Sequence, residues 1–174
     1  MSSNIEMLEH MQEEQQRVMP EQKPGRSKQT YGTPQAFIDA VEKRFGKLIC
    51  DLAASKENAK CEAFFDEAAN ALVQPWAELY PDGNLWLNPP YKNIGDWAKK
   101  CAEESVKRRG LIILLVPASI STCWFADHVH RKAMVLGISP RLVFNGEKSS
   151  FPKDLMIAIY GNGFQGFDTW RWTK

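Results

Sequence analysis

The chain of 174 residues contains no long hydrophobic run, no paired-cysteine motif and almost no net charge. Its longest apolar run, residues 111–116, has the length of a strand, whereas a membrane helix needs about 20 apolar residues. The N-terminus is polar and acidic, which predicts no signal peptide. These absences argue against a membrane-spanning or secreted protein, and we expect a cytoplasmic one.

The cysteines also lack the spacing of a metal site. None of the four forms a CxxC pair, and their spacing to the three histidines matches no zinc-ligand pattern. We therefore interpret them as reduced and mostly buried, and we predict no metal. The cysteines are Cys50, Cys61, Cys101 and Cys123.

The net charge of +1 conceals an uneven distribution. Residues 1–91 carry 9 basic and 14 acidic side chains, whereas residues 92–153 carry 11 basic and 5 acidic ones. A basic half favours a surface that meets polyanions such as nucleic acids. A solvated helix with lysine and arginine on its outer face explains the same pattern, so charge alone does not decide between the two.

The patterns that are present predict an α/β domain. A polar arm over residues 1–28 precedes a domain over residues 29–174, in which strand-length apolar runs alternate with helical patterns. The predicted helices span 34–45, 56–62, 93–109 and 122–131. The predicted strands span 48–52, 64–65, 85–87, 111–116, 134–138, 141–144 and 155–160. This alternation predicts a mostly parallel sheet with helices on both faces and an antiparallel hairpin formed by the last two strands.

The stretch Asn88-Pro89-Pro90-Tyr91 is the most informative part of the sequence. It follows the buried strand 85–87, and ligands of open α/β sheets bind outside the carboxyl ends of the strands. The prolines have a fixed φ and lack an N–H, so the turn cannot relax into a helix. An amide oxygen, a backbone carbonyl and an aromatic ring suit a planar group that carries an amino group. For Tyr91, a core aromatic beside a turn is the alternative.

Two further motifs lie at the ends of predicted elements. Tyr31-Gly32-Thr33-Pro34 precedes a helix, with Thr33 as the expected N-cap and Pro34 at the first helical position. Asp51-Leu52-Ala53-Ala54-Ser55 leaves the strand 48–52. Taken singly, Asp51 fits a turn cap and Thr33-Pro34 fits an ordinary helix start. Their occurrence together with the Asn88 turn favours a ligand site.

Together these motifs resemble those of class I S-adenosylmethionine-dependent amino-methyltransferases. Over residues 29–160 the chain resembles the small phage-type DNA N6-adenine methyltransferases (phage Dam family). Beyond the three motifs, the resemblance rests on Asn58, Cys61, Phe64-Phe65, Trp76, Trp97, Leu114–Ala118, Ser121-Thr122, Trp124-Phe125, Arg141–Phe144 and Phe151-Pro152. It implies a Rossmann-like, three-layer methyltransferase fold. Because only 36 residues separate Asp51 from Asn88, we expect that fold to be trimmed in the middle.

The resemblance implies a site-specific enzyme that transfers a methyl group from S-adenosylmethionine to adenine N6 in DNA. The implied catalytic residues are Asn88, Pro89, Pro90 and Tyr91. The implied cofactor contacts are Tyr31, Thr33, Pro34, Asp51, Ala53, Ala54 and Asn70. Asn70 stands where we expect the family to carry an acid, and Asp66 and Glu67 lie just before it. The implied DNA contacts are the loop residues Ser121, Thr122, Lys148 and Lys153, with the basic arm 23–28.

Other readings of the same motifs remain open at this point. An amino-methyltransferase acting on RNA or on a glutamine amide in protein would carry a similar turn, and a cofactor- or DNA-binding module without turnover would carry a similar cleft. We predict no membrane partner, and either a monomer or a homodimer. A phage or prophage gene would place the protein in the host cytoplasm.

Overall fold

The computed structural model of the chain describes residues 31–163 and 165–172. The predicted arm 1–28 lies outside the described residues, so the division into arm and domain stays a prediction. The helices are α1 (Gln35–Phe45), α2 (Trp76–Leu79), α3 (Ile94–Ser105) and α4 (Cys123–His128). The strands are β1 (Leu48–Asp51), β2 (Ala63–Phe64), β3 (Asn84–Leu87), β4 (Ile112–Pro117), β5 (Ala133–Ser139), β6 (Leu155–Tyr160) and β7 (Gly166–Arg171). Single 3₁₀ turns span Ala71–Val73 and Tyr91–Asn93.

The strands form one seven-stranded sheet in the order β2-β1-β3-β4-β6-β5-β7. Every neighbouring pair is parallel except the two that involve β6, which runs antiparallel to both β4 and β5. The β4–β6 register runs from Ile112 opposite Tyr160 to Pro117 opposite Leu155. The predicted α/β class with a mostly parallel sheet and an antiparallel element is confirmed.

Both faces of the sheet are covered, which gives three layers. Along β4, Ile112 and Leu114 pack into one core and Ile113 and Leu115 into the other, as the alternation of side chains along a strand requires. Helix α1 covers the second face through its buried side chains Phe37, Ile38 and Val41, while α2, α3 and α4 contribute to the first core. A continuous apolar strand such as β4 is stable only between two such layers.

The segment between Asp51 and Asn88 contains few secondary-structure elements, as its length of only 36 residues predicted. It contains only the two-residue strand β2, one 3₁₀ turn and the four-residue helix α2 before β3 begins. The helix predicted at 56–62 is absent, because the backbone N–H of Ser55 donates to Asn58 Oδ1 at 2.7 Å and closes a turn instead. The N–H of Lys60 then donates to Asp51 Oδ2 at 3.0 Å, which draws the chain back towards the end of β1.

The C-terminal third departs most from the sequence-based prediction. Residues 141–144 are not a strand, since Leu142 and Phe144 are buried as loop side chains while Val143 faces outwards. Their alternation imitates a strand without any ladder partner. Strand β6 therefore pairs antiparallel with β5 and not with the predicted strand 141–144. Strand β7, which the prediction missed, pairs in parallel with β5.

Two predicted helices are shorter than expected. Helix α3 ends at Ser105 and not at 109, because Arg108 turns inwards and donates to the carbonyl oxygens of Tyr80, Gly83 and Leu111. Helix α4 covers only Cys123–His128 of the predicted 122–131.

All four cysteines are unpaired, but only Cys50 and Cys101 are buried, so burial was overestimated for the other two.

The chain order around β1 creates a crevice. From β1 the chain passes to β2 on one side, whereas β3 lies on the other side of β1. At such a switch point the connections leave in opposite directions, so a cleft opens outside the carboxyl ends of β1 and β3. Asp51 ends β1 and Asn88 follows β3, so the fold brings both residues to this cleft.

None of the helices in the described part of the chain has the length and apolar character needed to cross a bilayer.

Candidate active site

A cleft of about 1260 Å³ lies at this switch point. It is larger than the roughly 300–1,000 Å³ of a typical single-ligand pocket, so it has room for two ligands side by side. Eight of the eleven residues predicted for the catalytic turn and the cofactor line it: Tyr31, Thr33, Asp51, Ala53, Ala54, Asn70, Asn88 and Pro90. Sequence motifs that lie far apart along the chain therefore converge on one surface.

Asn88 is held by hydrogen bonds at both ends of its amide. Its Nδ2 donates to the backbone carbonyl of Tyr31 at 2.7 Å and to Thr33 Oγ1 at 3.1 Å. Its Oδ1 accepts from the Tyr91 hydroxyl at 3.2 Å. Since an amide oxygen has two lone pairs, Oδ1 can accept a second donor in the cleft.

The rest of the turn is rigid and partly buried. Pro89 is buried, and Pro90 is extended, with φ −55° and ψ 129°, just before the 3₁₀ turn that starts at Tyr91. The Tyr91 ring stacks on Tyr31 at 6.0 Å and meets Phe151 edge-on at 5.9 Å. Burial raises the pKa of Tyr91 well above its usual value, so this phenol stays neutral and its hydroxyl keeps its proton.

Asp51 is a buried acid at the end of β1, with 3% of its surface exposed. Its Oδ1 accepts from the Ala53 N–H at 3.3 Å and its Oδ2 from the Lys60 N–H at 3.0 Å. Burial nevertheless raises its pKa to about 6, since desolvation outweighs these hydrogen bonds. The site thus holds a carboxyl group whose ionised form is unfavourable in the folded protein.

Thr33 and Pro34 differ from their predicted roles. Pro34, and not Thr33, is the residue that caps α1, and its carbonyl accepts the N–H groups of Phe37 and Ile38. Thr33 is 2% exposed, and its hydroxyl accepts from Asn88 in place of a helix N–H. Pro34 does not line the cleft; it fixes where α1 begins.

Small side chains line the wall next to Asp51. Ala53 and Ala54 both line the cleft, and the Ala54 N–H donates to the carbonyl of Phe65 at 3.0 Å, which ties the turn to the end of β2. Because neither side chain extends beyond Cβ, a ligand can approach the backbone here closely.

Asn70 lies on the far wall of the cleft, in a left-handed backbone conformation with φ 45°. Its N–H donates to the carbonyl of Asp66 at 3.2 Å, and the carboxylate of Asp66 accepts from the Ala69 N–H at 2.8 Å. Asp66 and Glu67 also line the cleft. The cleft wall therefore carries two acids three and four residues before position 70, where the sequence has asparagine.

The residues predicted to contact DNA lie outside the cleft. Thr122 Oγ1 donates to the carbonyl of Ser119 at 2.7 Å, and Ser121, Lys148 and Lys153 are exposed. Their two loops nevertheless follow the carboxyl end of β4 and precede the start of antiparallel β6, so they belong to the same edge of the sheet as the cleft.

Several cleft residues were missed at the level of sequence. Asn145 is the clearest case, since its N–H donates to the Gly32 carbonyl at 2.8 Å and its Nδ2 to the Thr33 carbonyl at 3.2 Å. An Asn-Gly pair in a loop signals a turn, but nothing local indicates a contact with a segment 112 positions away. The other missed lining residues include Glu57, Lys60, Phe65, Lys92, Asn93 and Trp97. Among the described residues, no group of three or more metal-ligating side chains is present.

With this geometry in view, comparison with known proteins assigns the chain to a family. The family model described as DNA N-6-adenine-methyltransferase (Dam) matches residues 21–157. The chain belongs to the Dam family. The match includes the motifs at Tyr31, Asp51 and Asn88, so the family resemblance inferred from the sequence is confirmed.

Two curated proteins are similar to this chain. A DNA N-6-adenine-methyltransferase of Escherichia phage T1 is 34% identical over 136 residues, which are 78% of this chain and 56% of the phage protein. A putative methyltransferase, YfdM, of Escherichia coli strain K12 is 34% identical over 61 residues, which are 34% of this chain and 67% of that protein. The chain thus spans about half the length of its phage relative.

Proposed function

We propose that this Dam-family chain is an adenine-specific, site-specific DNA methyltransferase that uses S-adenosylmethionine to methylate adenine N6. The observation that carries the proposal is the oriented amide of Asn88, which presents an acceptor oxygen at a switch-point cleft large enough for two ligands. The name of the phage relative and the family match support the same reaction. We expect it to act in the host cytoplasm, where its DNA substrate lies.

The cleft suits a cationic methyl donor beside Asp51. S-adenosylmethionine supplies a methyl group on a positively charged sulfur, and its amino-acid end carries an ammonium group. A cation near Asp51 favours the ionised carboxylate, whose burial is otherwise unfavourable. Ala53 and Ala54 leave room for close approach, and Asp66 and Glu67 offer acceptors to a ribose in place of an acid at position 70.

The chemistry proposed for Asn88 is positioning. The adenine N6 amine is a weak nucleophile, because its lone pair is delocalised into the ring. Two acceptors, Asn88 Oδ1 and the Pro89 carbonyl, would hold its two hydrogens and turn the lone pair out of the ring plane. Orientation of this kind supplies a large part of many enzymatic rate enhancements, and the extra proton can leave after transfer without a dedicated base.

Tyr91 would provide the contact for the face of the base. An adenine in duplex DNA must leave the helix to reach such a cleft, which costs a few kcal/mol. Stacking on an aromatic ring returns about 1–3 kcal/mol. The ring of Tyr91 is held by Tyr31 and Phe151, so it is already oriented before a base arrives.

The distribution of charge around the cleft supports DNA as the substrate. The wall near β2 carries three acids, Glu57, Asp66 and Glu67, against one lysine, Lys60, whereas the loops beyond β3 carry Lys148 and Lys153. An acidic wall favours a cationic donor and disfavours phosphates, while lysines at the opposite rim favour them. The methyl donor would therefore bind near the acidic wall, and the DNA near the lysines at the opposite end of the cleft.

The substrate class can be tested by transfer from S-adenosylmethionine carrying a tritiated methyl group. We expect label in unmethylated DNA and only background in total RNA and in unmethylated protein. Label confined to RNA or to a protein glutamine would contradict the proposal and identify a different amino-methyltransferase. Donor binding without transfer to any of the three would identify a non-catalytic module. Sedimentation of the same sample distinguishes a monomer from a homodimer.

A further inference from the structure

We propose that Thr33 is a positioning residue that, with the Tyr31 carbonyl, fixes which end of the Asn88 amide faces the target amine. The inference rests on the proposed function and deepens it, because it assigns to Thr33 a role in orientation that is separate from cofactor contact. It also predicts that this particular chain requires asparagine, and not aspartate, at position 88.

The geometry around Asn88 permits one amide orientation. Nδ2 lies 2.7 Å from the Tyr31 carbonyl and 3.1 Å from Thr33 Oγ1, so both partners are acceptors for its two hydrogens. Rotating the amide by half a turn would place Oδ1 against a carbonyl oxygen that can only accept. The oxygen is therefore directed to the side where the Tyr91 hydroxyl donates to it at 3.2 Å.

Thr33 is itself held firmly enough to orient a neighbour. It is 2% exposed and directly precedes Pro34, from which helix α1, buried along one face, starts. Asn145 braces the same segment by donating its N–H to the Gly32 carbonyl and its Nδ2 to the Thr33 carbonyl. A Cβ on Gly32 would lie 3.3 Å from the Asn145 side chain, so the two segments are closely packed.

The same contacts explain why an aspartate would not substitute. A carboxylate at position 88 has no hydrogen to give, so one of its oxygens would face the Tyr31 carbonyl without a proton between them. The Thr33 hydroxyl can reverse and donate, but the backbone carbonyl cannot. Protonation of that aspartate would restore a donor towards Tyr31 and an acceptor towards the target.

The first test removes the Thr33 hydroxyl. Thr33→Val and Thr33→Ala should each lower kcat by about tenfold or more, since misplacement by about 1 Å can cost around 10²-fold. The dissociation constant for S-adenosylmethionine should stay within about twofold, and Thr33→Ser, which keeps the hydroxyl, should recover most of the turnover. Thr169→Val, the same change on an exposed position of β7, serves as the control with unchanged kcat.

A second readout does not need turnover. In ¹⁵N spectra, the side-chain NH₂ pair of Asn88, assigned by its loss in Asn88→Asp, should shift and exchange faster with water in Thr33→Val and return in Thr33→Ser. This separates failure of the inference from failure of the proposed function. If wild type transfers nothing to DNA, the proposed function fails while the NH₂ signal still reports the orientation.

The third test is the pH profile of Asn88→Asp at saturating donor. Its turnover relative to wild type should be at least about 10²-fold lower at pH 8 and should rise as the pH falls. The other titratable groups around the cleft, which include Tyr31, Asp51, Lys60, Tyr91 and Lys92, are common to both proteins, so the ratio removes their own effects. The proposal would be overturned by a Thr33→Val enzyme that keeps the wild-type kcat and an unshifted Asn88 NH₂ pair. It would also be overturned if Thr33→Val bound the donor more weakly while kcat stayed unchanged.

Discussion

Asp51 is a residue whose buried environment is at odds with the ordinary chemistry of a carboxyl group. Its carboxyl is buried, and desolvation raises its pKa from 3.8 to about 6. At about 1.4 kcal/mol for each pH unit, the ionised form costs the folded protein on the order of 3 kcal/mol. Such an arrangement is typical of sites where a ligand of opposite charge completes the electrostatics.

The donor affinity should therefore depend on pH through Asp51. We expect the dissociation constant for S-adenosylmethionine to be constant above pH 7 and to weaken by up to about tenfold per pH unit below pH 6, because a positive ligand prefers the ionised carboxylate. Titration calorimetry between pH 5 and 8 measures this directly. In Asp51→Asn the profile should be flat and the binding weaker at pH 8.

In the ligand-free protein, the same carboxyl should make the free energy of unfolding fall as the pH rises. Because the folded pKa is raised, the contribution of Asp51 is fully present below pH 4 and is lost as the pH rises through about 6. The difference between wild type and Asp51→Asn should follow this course in urea titrations. A difference that does not change between pH 4 and 7 would contradict a raised pKa.

At the residue scale, the sequence predicted those cleft-lining residues that belong to local motifs. Asn88 and Asp51 could be found because each follows an apolar strand in a recognisable turn. The hydrogen bond from Asn145 to Thr33 could not, since it joins residues 112 positions apart. Thr33 was predicted at the site and does line the cleft, but its hydroxyl accepts from Asn88 and not from the expected helix N–H.

At the scale of elements, the turn that joins α3 to β4 packs directly on the turn before β3. Gly110 has φ 89°, and a Cβ there would collide with the carbonyl oxygen of Gly83. Arg108 donates to the same carbonyl, and Asn84 Oδ1 accepts the Leu111 N–H at 3.0 Å. This contact fixes how β3 and β4 are aligned along the strand direction. It therefore also fixes where the Asn88 turn lies at the carboxyl end of β3.

Gly110→Ala should therefore destabilise the fold more than an ordinary glycine substitution. Gly146 is the matched control, since it has a similar φ of 80° but no atom within 4 Å of the position that a Cβ would occupy. We expect Gly146→Ala to cost about 1–2 kcal/mol from backbone strain alone. Gly110→Ala should cost about 1–3 kcal/mol more, from the added clash. Urea unfolding measures both, and equal losses would show that the contact with Gly83 is not important.

The elements that sequence predicted well are those whose hydrophobic pattern has one physical explanation. The continuous apolar run that became β4 has to be buried on both sides, and it is. The pattern Leu142-Val143-Phe144 has two explanations, because loop side chains can alternate between core and solvent without forming a ladder. Strand β7 was missed because only Trp170 of its residues is buried, which leaves little apolar signal.

At the scale of the whole molecule, the strand order places the acidic first half of the chain at one side of the sheet and the basic second half at the other. The acidic first half supplies β2 and β1 with their loops, and the basic second half supplies the strands beyond β3. The loop 140–154, which carries Lys148 and Lys153, is fastened to the cleft by Asn145 and by the packing of Phe151 on Tyr91. We therefore propose this loop as a contact for a DNA backbone.

The salt dependence of DNA binding tests this placement. Replacing Lys148 and Lys153 together by glutamine should weaken DNA binding and reduce the slope of log affinity against log salt by about 2, since each phosphate contact contributes about 0.9. The control is the pair Lys43 and Lys47, exposed residues near the end of α1 and just before β1, at the opposite edge of the sheet. An unchanged slope in the first pair, or an equal change in the control, would contradict a contact by this loop.

The central claim is that Asn88 directs a methyl group to adenine N6 in DNA, and nucleoside analysis tests it most directly. Unmethylated genomic DNA is incubated with S-adenosylmethionine and either wild type or Asn88→Ala, then digested and resolved by mass spectrometry. We predict N6-methyladenine with wild type, at least about 10²-fold less with Asn88→Ala, and the same donor affinity for both proteins. Absence of N6-methyladenine with wild type, or equal yields from the two proteins, would contradict the claim.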